Sequence, residues 1–145
     1  YGVKILIARL FSVYGDGLCK QLLWDACKKL SQGQNVFWGT GKESRDFVHV
    51  TDVAKALVMM NSKVMKDLQI VNVASGKAVP INELLSKLFN AYGVIDEPCF
   101  GGQINKGNPM HYWADVKNIN SWGWYPEKNL SDGIAEYVRW FKQNA

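Results

Sequence analysis

Apolar positions along this chain fall into two alternating patterns, short unbroken runs and stripes of helical period. Val3 to Leu10 (VKILIARL) is a nearly continuous apolar run with β-branched residues, the pattern of a strand buried on both faces of a parallel sheet. Phe11 to Gly17 carries two glycines and an aspartate and reads as a loop. Leu18, Leu22, Leu23, Ala26 and Leu30 then share one helical face, and Gly33 suits a left-handed C-cap. Val36–Trp38, stopped by Gly39, and Phe47–Val50 read as short strands. Thr51 or Asp52 caps a helix running to about Ser62. Gln69 to Val73 is a second buried strand, closed by Ala74-Ser75-Gly76.

Pro80 opens the clearest helix, with Ile81, Leu84, Leu85, Leu88, Phe89 and Tyr92 on one stripe. Cys99 to Asn108 reads as irregular and Met110 to Ala114 as extended. Asp115 caps a short helix through Asn120. Asn129, with Asp132 three residues on, opens a last helix whose stripe is Leu130, Ile134, Tyr137, Val138 and Phe141. Strands alternating with helices predict an α/β class with a parallel sheet. Only two strands are long, and a two-stranded parallel sheet is a poor independent unit, so further sheet is expected beyond this chain. The opening Tyr1-Gly2, followed at once by KILIARL, reads as a start in mid-fold.

Composition changes this picture little. The 145 residues suffice for one core, and 48% apolar with 21% charged is ordinary for a folded domain. No apolar run reaches bilayer length, and no signal peptide is evident. Cys19, Cys27 and Cys99 have no metal-like or redox spacing and read as reduced cytoplasmic thiols in or near the core. The net charge of +4 is scattered, with no basic block, so neither nucleic acid nor a membrane is an expected partner.

The chemistry legible in the residues is that of a grip. No tyrosine has a lysine four residues on, Gly39-x-Gly41 makes no dinucleotide fingerprint, and Ser75-Gly76 makes no nucleophile elbow. Arg45, between a glycine loop and a strand, reads either as a bidentate clamp on a phosphate or as a surface ion pair with Asp46 or Glu43. Trp38 reads either as a platform for a nucleobase or as core. His49 reads as a structural histidine, His111 is given no role, and Asp46, Asp52 and Asp115 read as caps and loop ties.

Several segments together resemble the C-terminal half of the extended short-chain dehydrogenases, the nucleotide-sugar epimerases and dehydratases. They are RLFSVYG at Arg9–Gly15, GTGKESRDFVHVTDVAKA at Gly39–Ala56, NVASGKAVPINELL at Asn72–Leu85, GNPMHYWADVKNINSWGWYP at Gly107–Pro126, and the closing helix. The resemblance implies residues 1–15 and 69–76 as the last two strands of a Rossmann-type sheet. Most of 16–68 and 77–145 would then be a small mixed α/β substrate-binding region with flanking helices. It implies NAD or NADP, bound mainly by an N-terminal half that carries the glycine fingerprint and the Tyr-x-x-x-Lys pair, and tyrosine-assisted hydride transfer in the intact enzyme. This chain alone would be inactive, with no catalytic residue of its own and no metal. Expected partners are a nucleotide-sugar and the N-terminal half, with self-association through the open sheet edge as a further expectation.

By the same resemblance Arg45 holds the nucleotide diphosphate, Trp38 and Val36 lie near the base, and Phe11 lies near the nicotinamide. Ser12 stands where the family has an asparagine that binds the diphosphate. Asn105-Lys106-Gly107-Asn108 stands where the family often has Arg-x-Gly-Asp, so Lys106 offers a point charge without a fork, and Asn108 completes the substrate set. A non-catalytic binding module of the same fold is the alternative, and an RNA-binding relative is a more distant one.

Overall fold

The computed structural model describes residues 2–63, 68–104 and 106–145. Asn105, part of the Asn105–Asn108 motif, and Tyr1 lie outside the described residues. In chain order the elements are β1 (Ile5–Leu10), β2 (Ser12–Tyr14), α1 (Gln21–Ser31), β3 (Val36–Phe37), β4 (Ser44–Arg45), β5 (Phe47–His49) and α2 (Val50–Asn61). They continue with β6 (Leu68–Val73), β7 (Val79–Pro80), α3 (Ile81–Tyr92), β8 (Cys99–Phe100), α4 (Lys117–Ser121) and α5 (Leu130–Asn144).

The two long strands pair in parallel, β1 on β6, with Ile5 opposite Leu68 and Leu10 opposite Val73. The short strands pair as β2 with β5 and β3 with β8, both parallel, and β4 with β7, antiparallel. The α/β class read from the pattern is thus present. The burial of β1 differs from expectation. Only the side bearing Leu6 and Ala8 is covered, by a cluster of Val48, Val53, Ala56, Met60, Val71 and Val73 that α2 packs onto the sheet. On the other side Ile5, Ile7, Leu68 and Ile70 stay about half exposed. A run apolar on both faces therefore has a covering layer on one face only among the described residues.

Ser12–Tyr14 also departs from the sequence reading, which took it as loop. The Ser12 amide donates to Asp46 O at 3.0 Å, and the segment runs alongside Phe47–His49 as a strand. The α2 cap is likewise different. His49, not Thr51 or Asp52, occupies the N-cap and accepts from the Thr51 amide. Asp52 instead accepts from the Lys128 amide at 3.0 Å, tying α2 to the segment before α5.

The second cluster is self-contained. α1, α3 and α5 bring Leu23, Ala26, Leu84, Leu88, Ile134 and Tyr137 together with almost no exposure. The helix stripes read from the sequence are those turned to this core, with Leu22, Ile81, Tyr92 and Leu130 partly buried at its margin. Leu18 lies just before α1, and the Tyr137 hydroxyl donates to its carbonyl at 2.6 Å. Gly33 closes α1 at φ +71°, and the Gln34 amide reaches back to Lys29 O at 2.9 Å, the 6→1 bond of a Schellman stop. Asn129 caps α5 through the Ser131 amide. Among the described residues no helix is long and apolar enough to cross a membrane.

Candidate functional site

One cleft of about 370 Å³ opens between the three-helix cluster and the loops leading into β4 and out of β8. Ser12, Trp38, Arg45 and Asn108 all line it. Those four come from separate segments, so the fold, not sequence proximity, assembles them. Two other residues expected in the substrate set lie outside it, and Phe11 was expected near the nicotinamide instead. Val36, at the start of β3, and Lys106, on a turn, are exposed and outside the lining. Phe11 faces a separate hollow of about 420 Å³ with Gly15 and Val50 in its wall, its ring stacked on Tyr112 at 4.9 Å.

The partners of Arg45 bear on its two readings. Its Nη1 donates to Ser44 O at 2.7 Å and reaches Met110 O at 3.4 Å. Among the described residues no carboxylate pairs with it. Both carboxylates offered as its ion-pair partners are engaged elsewhere. Asp46 is fully buried and accepts from the Ser75 amide and hydroxyl, the Gly76 amide and the Ala114 amide at 2.6–3.2 Å. Glu43 accepts from the Thr40 amide at 3.0 Å. A guanidinium fixed by carbonyls and free of carboxylates retains the donors that a phosphate would take.

Trp38 is 61% exposed, so it is not core. Its neighbour Phe37 is the one that goes inward, as strand alternation requires. The turn after it needs glycine: Gly41 has φ +76°, and a Cβ there would come within 2.6 Å of the Phe100 ring. The rest of the cleft wall is mostly apolar, from Val13, Leu22, Phe47, Ile81, Ile104 and Met110. Arg45 is the one cationic and Glu43 the one anionic side chain in the lining.

Tyr14 is buried, and burial with the nearby Asp52 charge pushes its phenol far above its ordinary value. The Glu43 carboxyl is pushed up by burial, but hydrogen bonds led by that from Thr40 outweigh this and hold it below the usual range. His49, outside the lining, is held below its ordinary value by burial and then by Lys128. Cys27 is buried and its thiol is pushed up to about 12, so it is inert. Cys19 and Cys99 are exposed, contrary to the expected core placement. Among the described residues no His, Cys, Asp and Glu side chains converge as a metal site.

Sequence reasoning did not foresee Gln21, Glu43, Ile104 or Met110 in the cleft wall. Gln21 stands out, because it is the one described non-glycine residue at positive φ (+68°) and it borders both the cleft and the Phe11 hollow. A backbone strained at a cleft is a mark of function, but no sequence pattern announces it.

Comparisons with known proteins identify the family and the fold. The model of the NAD dependent epimerase/dehydratase family matches residues 1–74. A putative UDP-glucose 4-epimerase of Methanocaldococcus jannaschii is 33% identical over 150 residues, covering 99% of this chain and 48% of that protein. The GDP-L-fucose synthase of Escherichia coli is 30% identical over 119 residues, covering 75% of this chain and 36% of its own. The chain thus spans half or less of the length of these relatives. Among solved structures, MoeE5 in complex with UDP-glucuronic acid and NAD superposes with TM-score 0.84 at 28% identity, over 97% of this chain and 48% of that one. A UDP-N-acetylglucosamine 4-epimerase of Methanobrevibacter ruminantium, in complex with UDP-N-acetylmuramic acid, has the same fold with TM-score 0.85 at 24% identity, over 100% and 48%. The chain belongs to the NAD-dependent epimerase/dehydratase family.

Proposed function

We propose that this chain is the C-terminal, substrate-gripping portion of an NAD- or NADP-dependent nucleotide-diphospho-sugar epimerase, dehydratase or reductase of the cytoplasm. The observation that carries the reading is the meeting of Ser12, Trp38, Arg45 and Asn108 in one cleft, with Arg45 free of any carboxylate among the described residues. Arg45 suits a diphosphate, the Ser12 hydroxyl can donate beside it, Trp38 offers a face for a base, and the apolar wall excludes water around them. These residues bind and orient. Orientation of the sugar against a reactant lowers the barrier, whereas uniform binding only lowers KM.

The position within the enzyme is supported by the sheet. The open side of β1–β6, carrying Ile5, Ile7, Leu68 and Ile70, is apolar surface of the kind that a further layer covers. The strand-first order and a family match confined to residues 1–74 favour a second reading, an N-terminal cofactor-binding portion. That reading needs a glycine-rich turn opening a helix after β1. Here β1 leads instead into β2, paired with β5.

NAD is the cofactor that the family name carries, and these residues fit only one edge of it. The hollow beside Phe11 has apolar walls and one charged residue, Asp16, which would repel a pyrophosphate. Phe11 could flank a nicotinamide; the grip on the remainder must come from other residues. When bound, such a cofactor supplies hydride exchange, and no group of this chain does.

The test is calorimetric titration of the intact protein with UDP, dTDP and GDP beside their monophosphates. At least one diphosphate should bind more tightly than its monophosphate, and Arg45→Ala should erase that advantage. Absence of any nucleotide binding removes the reading and favours the non-catalytic module.

A further inference from the structure

We propose that Glu43 is a positioning residue for the nucleobase: its carboxylate holds the glycine turn that aims Trp38 into the cleft. The proposal rests on the reading of the cleft as a sugar-nucleotide site and adds to it a residue that touches the turn rather than the ligand.

Trp38 has no stacking partner of its own. It is 61% exposed, and among the described residues no ring contact involves it. Its direction must therefore come from the backbone on either side. On one side Phe37 is buried and paired with Phe100 across β3 and β8, a fixed anchor. On the other side lies Gly39-Thr40-Gly41, with both glycines at positive φ (+101° and +76°). Two glycines in three residues give the turn the greatest freedom to lose.

The turn is held at its ends by carbonyls: Gly39 O accepts from the Gly102 amide at 2.8 Å and Gly41 O from the Asn82 amide at 2.9 Å. Its middle amide, on Thr40, has one acceptor, the Glu43 carboxylate, at 3.0 Å to Oε1 and 3.3 Å to Oε2. That bond has an ionised acceptor, which makes it the strongest tie of the three. The same carboxylate lies against Gly39, where a Cβ would stand 3.2 Å from Oε1. It thus braces the residue immediately after Trp38.

Charge points the same way. A carboxylate in the wall of a cleft that takes an anion works against the ligand, hydrogen-bonded or not, so its presence there calls for a use other than contact with the anion. Glu43 does not pair with Arg45; it is committed to the turn.

The experiment is a double-mutant cycle on the intact protein, with UDP as the probe and the dissociation constant as the readout. Glu43→Ala should weaken binding about tenfold, the size expected for loss of a hydrogen bond to a charged group. Glu43→Gln, whose amide oxygen can still accept from Thr40, should stay within about threefold on the same scale. In a Trp38→Ala background, Glu43→Ala should cost nothing further. An equal loss in both backgrounds overturns the proposal, as does a Glu43→Gln loss as large as that of Glu43→Ala. If Arg45→Ala weakens UDP binding while Glu43→Ala does not, the proposal alone fails. If the wild-type protein binds no nucleoside diphosphate, the reading of the cleft fails and takes the proposal with it.

Discussion

The three-helix cluster and the β1–β6 pair are built from equally apolar sequence, yet they end in opposite states. In the cluster every stripe residue finds a neighbour: Leu84, Leu85 and Leu88 have no exposure. In the sheet the residues on one side are covered by α2, while Ile5, Ile7, Leu68 and Ile70 on the other meet no covering element among the described residues. The difference teaches that the cleft lies away from the uncovered side of the sheet. Its walls come from β2, α1, the glycine turn, β4, β5, the start of α3 and the residues Ile104, Asn108 and Met110, and none of Ile5, Ile7, Leu68 and Ile70 lines it.

Asp46 anchors the end of the β1–β6 pair to β5, and its loss should break the comparison outright. It ties β5 to the turn after β6 and to the segment before α4 through four donors. Asp46→Ala orphans buried amides and should cost about 4 kcal/mol in chemical denaturation; a cost under about 1 kcal/mol would show the tie to be dispensable. Leu88→Ala should be next, at about 3 kcal/mol, because its site in the cluster cannot collapse. The open face is sharpened by a pair of exposed positions. In the intact protein Ile7→Thr should cost about 1–2 kcal/mol if a further layer covers it, whereas Val58→Thr, on the outer side of α2 at 78% exposure, should stay within about 0.5 kcal/mol. Equal silence of the two would mean that the sheet face is plain solvent surface.

The smallest expected effect is a pH dependence from His49. Its Nδ1 accepts from the Thr51 amide, and burial and then Lys128 lower its pKa, with Glu136, Asp52 and Asp16 acting in opposition. A folded pKa below the unfolded value means that the unfolded chain binds the proton more readily. Stability is therefore full above the unfolded value near 6.5 and is lost as pH falls below it. Thermal midpoints between pH 7.5 and about 5 should fall more steeply for wild type than for His49→Asn, which can still cap α2. Parallel slopes would remove His49 as the cause.

Much of this was legible from pattern alone. The stripes of α1, α3 and α5, the Gly33 stop and the Asn129 cap follow from periodicity and local capping, and packing agreed with them. β2 was not legible, since Phe11 to Gly17 has loop composition and becomes a strand only by pairing with β5. The His49 cap was missed because histidine ranks outside the usual capping residues. Motif resemblance named Ser12, Trp38, Arg45 and Asn108, and the fold brings these four side chains into one cleft. Val36 and Lys106 lie outside the lining, because resemblance fixes sequence position, not which hollow a side chain meets. Glu43 and Gln21 enter the wall through a carboxylate–amide bond and a left-handed backbone, neither of which has a sequence signature.

A crystal structure of the intact protein with a bound nucleoside diphosphate tests the central claim most directly. The account predicts the diphosphate in hydrogen-bond contact with the Arg45 guanidinium and the base over the Trp38 ring. A diphosphate bound away from Arg45, for instance in the polar hollow between α2 and α5 lined by Lys55 and Arg139, would contradict it.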